Sequence, residues 1–292
     1  MTSYIHQLQT SAGVVEYADA GAGIPALYFH GTGAGLDAAL LLEQPLLRSD
    51  CRLIIPNRPG YYGTTLAQPG YLEPCLVHAL EVLDQLGIPR VVVIGTSGGG
   101  MPAAHFAERY PSRSAGLILQ CCQSHRWDHA KWLPVGLGAT LFLFRHSIFA
   151  PLLRWETRRR ARLSHRIPGV ALRQMSGMRF QEIASDGEVI RQIAELAALT
   201  LKCADHLDGV QNDWAILVGD NGLRKGMASC ETLIIHDRAD PLVPFAHAEW
   251  SQECIPQAEL LDVHAGGHLI WFGQDFASLH KRRVKFMHET LG

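Results

Sequence analysis

The sequence predicts an α/β fold, a doubly wound and mostly parallel sheet with a helical cap inserted late in the chain. Three observations carry that prediction. Compact apolar runs alternate with helix-patterned segments, the order that builds a parallel sheet covered on both faces. Several of those runs, such as Val91–Ile94, have no polar face, as in strands buried on both sides. The alternation then stops over residues 123–226, where only helix-like blocks are visible, and resumes at Glu231.

Taken in order, Tyr4 to Ala18 reads as two short antiparallel strands turning around Ser11-Ala12-Gly13. A buried strand follows from Pro25 to His30, then the glycine-rich run His30-Gly31-Thr32-Gly33-Ala34-Gly35 and a helix from Leu36 to about Leu47. Arg52 to Pro56 is the next strand, and Asn57 to Gly63 is a turn-rich loop. Leu76, Leu80, Leu83 and Leu86 recur at helical spacing, and Gly87 stops that helix. Strands at Val91–Ile94 and Leu117–Cys121 bracket a helix that tolerates Pro102 in its first turn. The chain ends with a strand at Glu231–His236, a helix from about Pro244, a strand at Ala258–Val263 and a helix from about Ile270 to Leu291. The expected division is a core of residues 1–122 and 227–292 around a cap of residues 123–226. The carboxyl ends of the strands, where such sheets carry their sites, would lie under the cap.

Chemistry concentrates between the Val91 strand and its helix, at Gly95-Thr96-Ser97-Gly98-Gly99. A serine on a sharp strand-to-helix turn is forced into strained backbone, its Oγ exposed above the sheet and backed by the N–H groups of the new helix. Strand, glycine-rich turn and helix is also the shape of a nucleotide-binding loop. A dinucleotide fingerprint, however, needs glycine where Ser97 stands, and a P-loop needs lysine where Met101 stands. A serine nucleophile needs a base, and the base needs an orienting acid. His236-Asp237-Arg238-Ala239-Asp240 follows one later strand, and Gly266-Gly267-His268 follows the last.

On these residues the chain resembles the α/β-hydrolase superfamily, its capped serine hydrolases in particular, over nearly everything outside the cap. The resemblance places the nucleophile at Ser97, the acid at Asp240, the base at His268, and the oxyanion loop at His30-Gly31-Thr32. It implies that the backbone N–H groups of Gly98 and of Thr32, or its neighbour Gly33, hold the developing oxyanion. Arg58-Pro59-Gly60-Tyr61-Tyr62-Gly63-Thr64 is similar to the family's R-P-G-x-G-x-S loop with one extra residue. Asp237 stands where the family usually has glycine. Asp237 is the rival acid, one residue past its strand, and His264 is the rival base, without the flanking glycines. His30 reads as a brace for the oxyanion loop.

The remaining features bound the function. A net charge of −2 gives no argument for nucleic acid or an acidic surface as partner. Seven cysteines lack metal spacing and read as reduced thiols, and the N-terminus shows no secretory pattern, so a cytoplasmic location is expected. His125 and His129 stand at i, i+4 without the glutamate of a metalloprotease and read as cap surface or pocket lining. Cys121 and Cys122 read as buried structural thiols. Trp132 to Phe144 is uncharged but too short to span a bilayer, and Arg154 to Arg166 is an arginine-rich run that reads as a solvated face. An apolar cap over Ser97 suggests an apolar pocket. The expectation is a cofactor-free, metal-free serine hydrolase of small to medium apolar esters. Aspartate at the nucleophile position, expected of epoxide hydrolases and haloalkane dehalogenases, is absent, as is the H-G-G-P-G of proline iminopeptidases. The enzymatic rival is a carbon–carbon bond hydrolase of aromatic ring-cleavage products, and the rival from another class is a non-catalytic binding protein with the same fold.

Overall fold

β-Branched and leucine-rich runs form the centre of the sheet because both of their faces are covered. The computed structural model describes residues 4–126, 155, 159, 186–203, 206–264 and 266–292. Eight strands are described: β1 (Ile5–Thr10), β2 (Gly13–Gly21), β3 (Ile24–Phe29), β4 (Cys51–Pro56), β5 (Val91–Thr96), β6 (Ser114–Gln120), β7 (Glu231–His236) and β8 (Glu259–Asp262). They lie in the order β1-β2-β4-β3-β5-β6-β7-β8. The β1–β2 and β2–β4 pairs are antiparallel and all the others parallel, so the sheet is mostly parallel with an antiparallel edge.

Alternation along the strands divides the core in two. Leu27, Phe29, Val91, Val93, Leu117 and Leu119 face α3 (Glu73–Gln85) and α4 (Gly100–Arg109). Tyr28, Val92, Ile94, Ile118, Leu233 and Ile235 face α1 (Leu36–Leu42), α2 (Gln44–Leu47) and the C-terminal helix Phe276–Leu291. Each fully buried Val, Leu or Ile contributes roughly 1.5–3 kcal/mol, so these two layers hold the sheet rigid beneath the site.

Two helices expected as continuous are shortened. The segment after the glycine-rich loop breaks at Glu43, just before Pro45, which cannot supply a helical N–H. Glu43 turns inward and is fully buried against Arg283, whose guanidinium pairs with it. The last helix begins at Phe276 rather than Ile270, because Leu269, Ile270 and Trp271 are buried in tight turns that end at Gly273.

Of residues 123–226, two helices are described: α5 (Gly187–Cys203) and α6 (Leu207–Val218). Ile193 and Leu196 of α5 pack on Ala38 and Leu41 of α1. α6 differs, since its Ile216 and Leu217 join the core layer under α3 and α4. This part of the stretch expected as cap is therefore built into the core. His129, Trp132 to Phe144 and, apart from Trp155 and Arg159, the Arg154 to Arg166 run lie outside the described residues. α7 (Ala246–Cys254) and α8 (Phe276–Leu291) complete the covering layers. No described helix is long and apolar enough to cross a membrane.

Candidate active site

The turn after β5 forces Ser97 into the left-handed region, with φ of 53°. A non-glycine residue there costs of order 1–3 kcal/mol and persists only where its surroundings fix it. Here those surroundings are close backbone contacts that only glycine neighbours permit. A Cβ on Gly95 would lie 2.6 Å from Ala103 Cβ, and one on Gly99 would lie 2.1 Å from the Phe29 carbonyl oxygen. The pentapeptide's glycines are thus spent on packing the elbow against α4 and β3.

The loops after β7 and β8 bring Asp240 and His268 together. His268 Nδ1 lies 2.8 Å from Asp240 Oδ2, and both residues are buried. The other oxygen, Asp240 Oδ1, accepts the N–H groups of Leu242 and Val243 at 2.8 and 2.9 Å. Burial disfavours the charge on Asp240. The His268 imidazole and these hydrogen bonds outweigh it, holding the carboxyl below the usual aspartate range. Asp237 is engaged elsewhere: Oδ1 accepts the Ala239 N–H at 2.7 Å, and Oδ2 accepts those of Gly266 and Gly267 at 3.0 and 2.8 Å. It therefore anchors the loop that carries His268. His264 is exposed, and its backbone N–H donates to Asp275.

The glycine-rich loop after β3 lies directly against the elbow. A Cβ on Gly31 would stand 3.3 Å from Ser97 Cβ, and one on Gly98 would stand 2.2 Å from Thr32 Oγ1 and 3.5 Å from Thr32 N. Thr32 and Gly98 therefore face each other beside Ser97. Gly33 differs, since its N–H donates to the Tyr61 hydroxyl at 2.8 Å. His30 is fully buried and bridges two loops. Its Nδ1 lies 2.9 Å from the Gly31 carbonyl oxygen and 3.1 Å from the Gly35 N–H nitrogen, and its Nε2 accepts the Arg58 N–H at 3.0 Å. Burial and the Arg58 charge hold its pKa well below the usual histidine value, so the ring is neutral.

Ser97, Thr32 and His268 open onto one cavity of about 180 Å³, walled by Ala38, Leu42, Leu196, Leu269 and Trp271. Behind it, Trp271 Nε1 and Gln120 Nε2 donate to Glu43 Oε1 at 3.2 and 3.0 Å. Cys121 backs the acid: its Sγ and one ligand atom each of Asp240 and His268 lie within 4.8 Å of one another. Burial first, then the Asp240 charge, push this thiol well above its usual pKa. Cys51, Cys75, Cys121, Cys122, Cys230 and Cys254 are free thiols.

Two contributors escape the sequence. Tyr61 sits in the loop with the extra residue, and Asp213 lies inside the expected cap, yet the two meet at 2.6 Å. The available signal was a carboxylate amid the apolar pattern of Leu207–Val218. Such a residue needs a buried cation, and Arg58 is that cation, at 2.6 Å.

The chain has relatives among known proteins. The profile of the alpha/beta hydrolase fold family matches residues 25–274. An uncharacterised hydrolase, YcgS, of Bacillus subtilis is 29% identical over 95% of this chain and 96% of its own. The pimeloyl-[acyl-carrier protein] methyl ester esterase of Aromatoleum aromaticum is 29% identical over 82% of this chain and 88% of its own. The 2-hydroxymuconate semialdehyde hydrolase of Pseudomonas sp. CF600 is 37% identical, over only 35% of this chain and 37% of its own. Among solved structures, an alpha/beta hydrolase fold protein from Nakamurella multipartita superposes with a TM-score of 0.78 at 24% identity, covering 97% of this chain and 98% of that one. A profile match spanning most of the chain, on a sheet with this strand order, makes the protein an enzyme of the α/β hydrolase fold family.

Proposed function

We propose that the protein hydrolyses a carboxylic ester of a small to medium apolar substrate through a Ser97–His268–Asp240 triad and an acyl-enzyme. The observation that carries this reading is the buried Asp240–His268 pair, whose histidine opens, with the strained Ser97, onto one apolar-walled cavity. In the acylation step Ser97 Oγ attacks the ester carbonyl carbon while His268 Nε2 takes its proton. Collapse of the tetrahedral intermediate expels the alcohol, which leaves with that proton, and water then repeats the sequence to release the acid. Asp240 fixes the tautomer with Nδ1–H toward itself and stabilises the imidazolium.

The developing oxyanion is held by the N–H groups of Gly98 and Thr32. Thr32 takes this role because the Gly33 N–H is already engaged by Tyr61. Each such donor is worth roughly 3 kcal/mol in the transition state, about a hundredfold in rate. We retain residues 123–226 as the inserted cap, with Ile216 and Leu217 of α6 packed into the core. The apolar wall selects apolar acyl or alcohol groups, and the free thiols fit a reducing, cytoplasmic setting. Likeness to the methyl ester esterase over most of both chains favours ester cleavage.

A second reading, cleavage of a carbon–carbon bond in a ring-cleavage product, is favoured by the stretch shared with the 2-hydroxymuconate semialdehyde hydrolase. It uses the same triad. Mass spectrometry after treatment with a fluorophosphonate tests both readings at once: the adduct is expected on Ser97, and an unlabelled Ser97 in folded protein would contradict them. Turnover of p-nitrophenyl esters against that of a vinylogous diketone then separates the two.

A further inference from the structure

Three backbone N–H groups tie the loop 57–61 to the oxyanion loop and its flanks. Leu36 N–H donates to Asn57 Oδ1 at 2.9 Å, Arg58 N–H to His30 Nε2 at 3.0 Å, and Gly33 N–H to the Tyr61 hydroxyl at 2.8 Å. Only the last reaches a residue next to Thr32. Tyr61 is fully buried, and its own hydroxyl donates to Asp213 Oδ2 at 2.6 Å. The same oxygen accepts Arg58 Nη2 at 2.6 Å, while Arg58 Nη1 donates to the carbonyl of Gly98 at 3.2 Å. Arg58 and Asp213 are 3% and 1% exposed. One buried network therefore grips both sides of the spot where an oxyanion would form, Gly33 on one side and Gly98 on the other.

The anchor of this network is α6. A Cβ on Gly60 would lie 2.6 Å from Gly209 N, and one on Gly209 would lie 2.5 Å from Tyr61 Cδ2, so helix and loop touch backbone to backbone. Asn212 Oδ1 adds the Gly70 N–H at 2.7 Å. The helix before it, α5, supplies Leu196 to the cavity wall. The wall that meets substrate and the anchor that holds the oxyanion loop are thus neighbouring helices.

From this geometry, and resting on the triad reading above, we propose that Tyr61 is a positioning residue for the oxyanion hole. By accepting the Gly33 N–H it turns that peptide away from the reacting carbonyl and fixes the Thr32 N–H toward it. Arg58 and Asp213 hold Tyr61 in the one orientation that does this. Tyr61 touches no substrate, so its removal should weaken transition-state binding and spare ground-state binding.

The test is Tyr61→Phe, which keeps the ring and deletes the acceptor, compared with wild type per titrated Ser97. The expected result is a fall in kcat for p-nitrophenyl butyrate of about tenfold to a hundredfold, with KM unchanged. The rate of fluorophosphonate inactivation should fall by the same factor, and the midpoint of the acidic limb of the pH profile should stay where it was. Amide hydrogen exchange should quicken in peptides covering residues 31–36 and not in those covering β5. If the phenylalanine variant does not fold, Asp213→Glu, which keeps the counter-charge of Arg58 but shifts the acceptor of the Tyr61 hydroxyl, should give a smaller fall in kcat with KM unchanged. Unchanged kcat and inactivation rate, or a rise in KM that accounts for the whole effect, would overturn the proposal while leaving the triad standing. A wild-type protein that never reacts at Ser97 would overturn the triad reading, and this one with it.

Discussion

His268 Nδ1 and Asp240 Oδ2 meet at 2.8 Å although they belong to loops after different strands, while Asp237, three residues earlier, has both oxygens occupied by backbone N–H groups. One acid orients the imidazole, and the other shapes the loop that carries it. Asp240→Asn should therefore leave the fold intact and lower kcat by about 10⁴, since the amide favours the wrong imidazole tautomer. Asp237→Asn should cost far less in kcat. Steady-state assays of the two variants side by side check the order.

Stability should fall as the solution is acidified below about pH 6.5. Burial holds His78 at about 4, and burial together with the His125 charge holds His247 at about 3. Their value in the unfolded chain is about 6.5. Between the folded and unfolded values only the unfolded chain takes up the proton. Stability is thus full above about pH 6.5 and is lost progressively down to about pH 4 for His78 and about pH 3 for His247. The depressed carboxyl of Asp240 acts in the same direction once the pH falls below the unfolded aspartate value of about 3.9. Urea midpoints measured at neutral and mildly acidic pH should decline, and His78→Gln should flatten the decline.

Glu43 is fully buried with Arg283 and also receives Gln120 and Trp271. Removing one partner leaves a buried charge uncompensated, which typically costs about 3–5 kcal/mol. Glu43→Ala should lower Tm markedly and loosen the Trp271 wall. Replacing Glu43 and Arg283 together with apolar residues should cost less than the single change, as a thermal melt of each variant would show.

Leu196 and Ala38 narrow the cavity from α5 and α1. Leu196→Trp should shift the preferred p-nitrophenyl ester toward shorter acyl chains, and Leu196→Ala toward longer ones. A chain-length profile of kcat/KM measures the shift.

Periodicity made the layers legible. The all-apolar Val91–Ile94 run became the doubly covered β5, and the glycines around Ser97 proved to be demanded by contacts with Ala103 and Phe29. Loop positions after strands offered Asp237 or Asp240 and His264 or His268; the resemblance pointed to Asp240 and His268, which lie 2.8 Å apart. Other features depend on contacts that sequence spacing does not encode. Pro45 breaks the helix at Glu43, and Arg283, 240 positions away, holds that Glu43 inside. α6 read as cap because its helix pattern follows the break in alternation, yet Ile216 and Leu217 are core residues. Tyr61 lay in a loop one residue longer than the family's pattern, and spacing gives no sign that its hydroxyl meets Asp213.

The central claim, that Ser97 is the nucleophile of an ester hydrolase, is tested most directly by comparing wild type with Ser97→Ala on p-nitrophenyl esters from acetate to dodecanoate. The account predicts turnover with a chain-length optimum in the wild type, and turnover abolished in the variant at unchanged Tm. Turnover that survives in Ser97→Ala would contradict it.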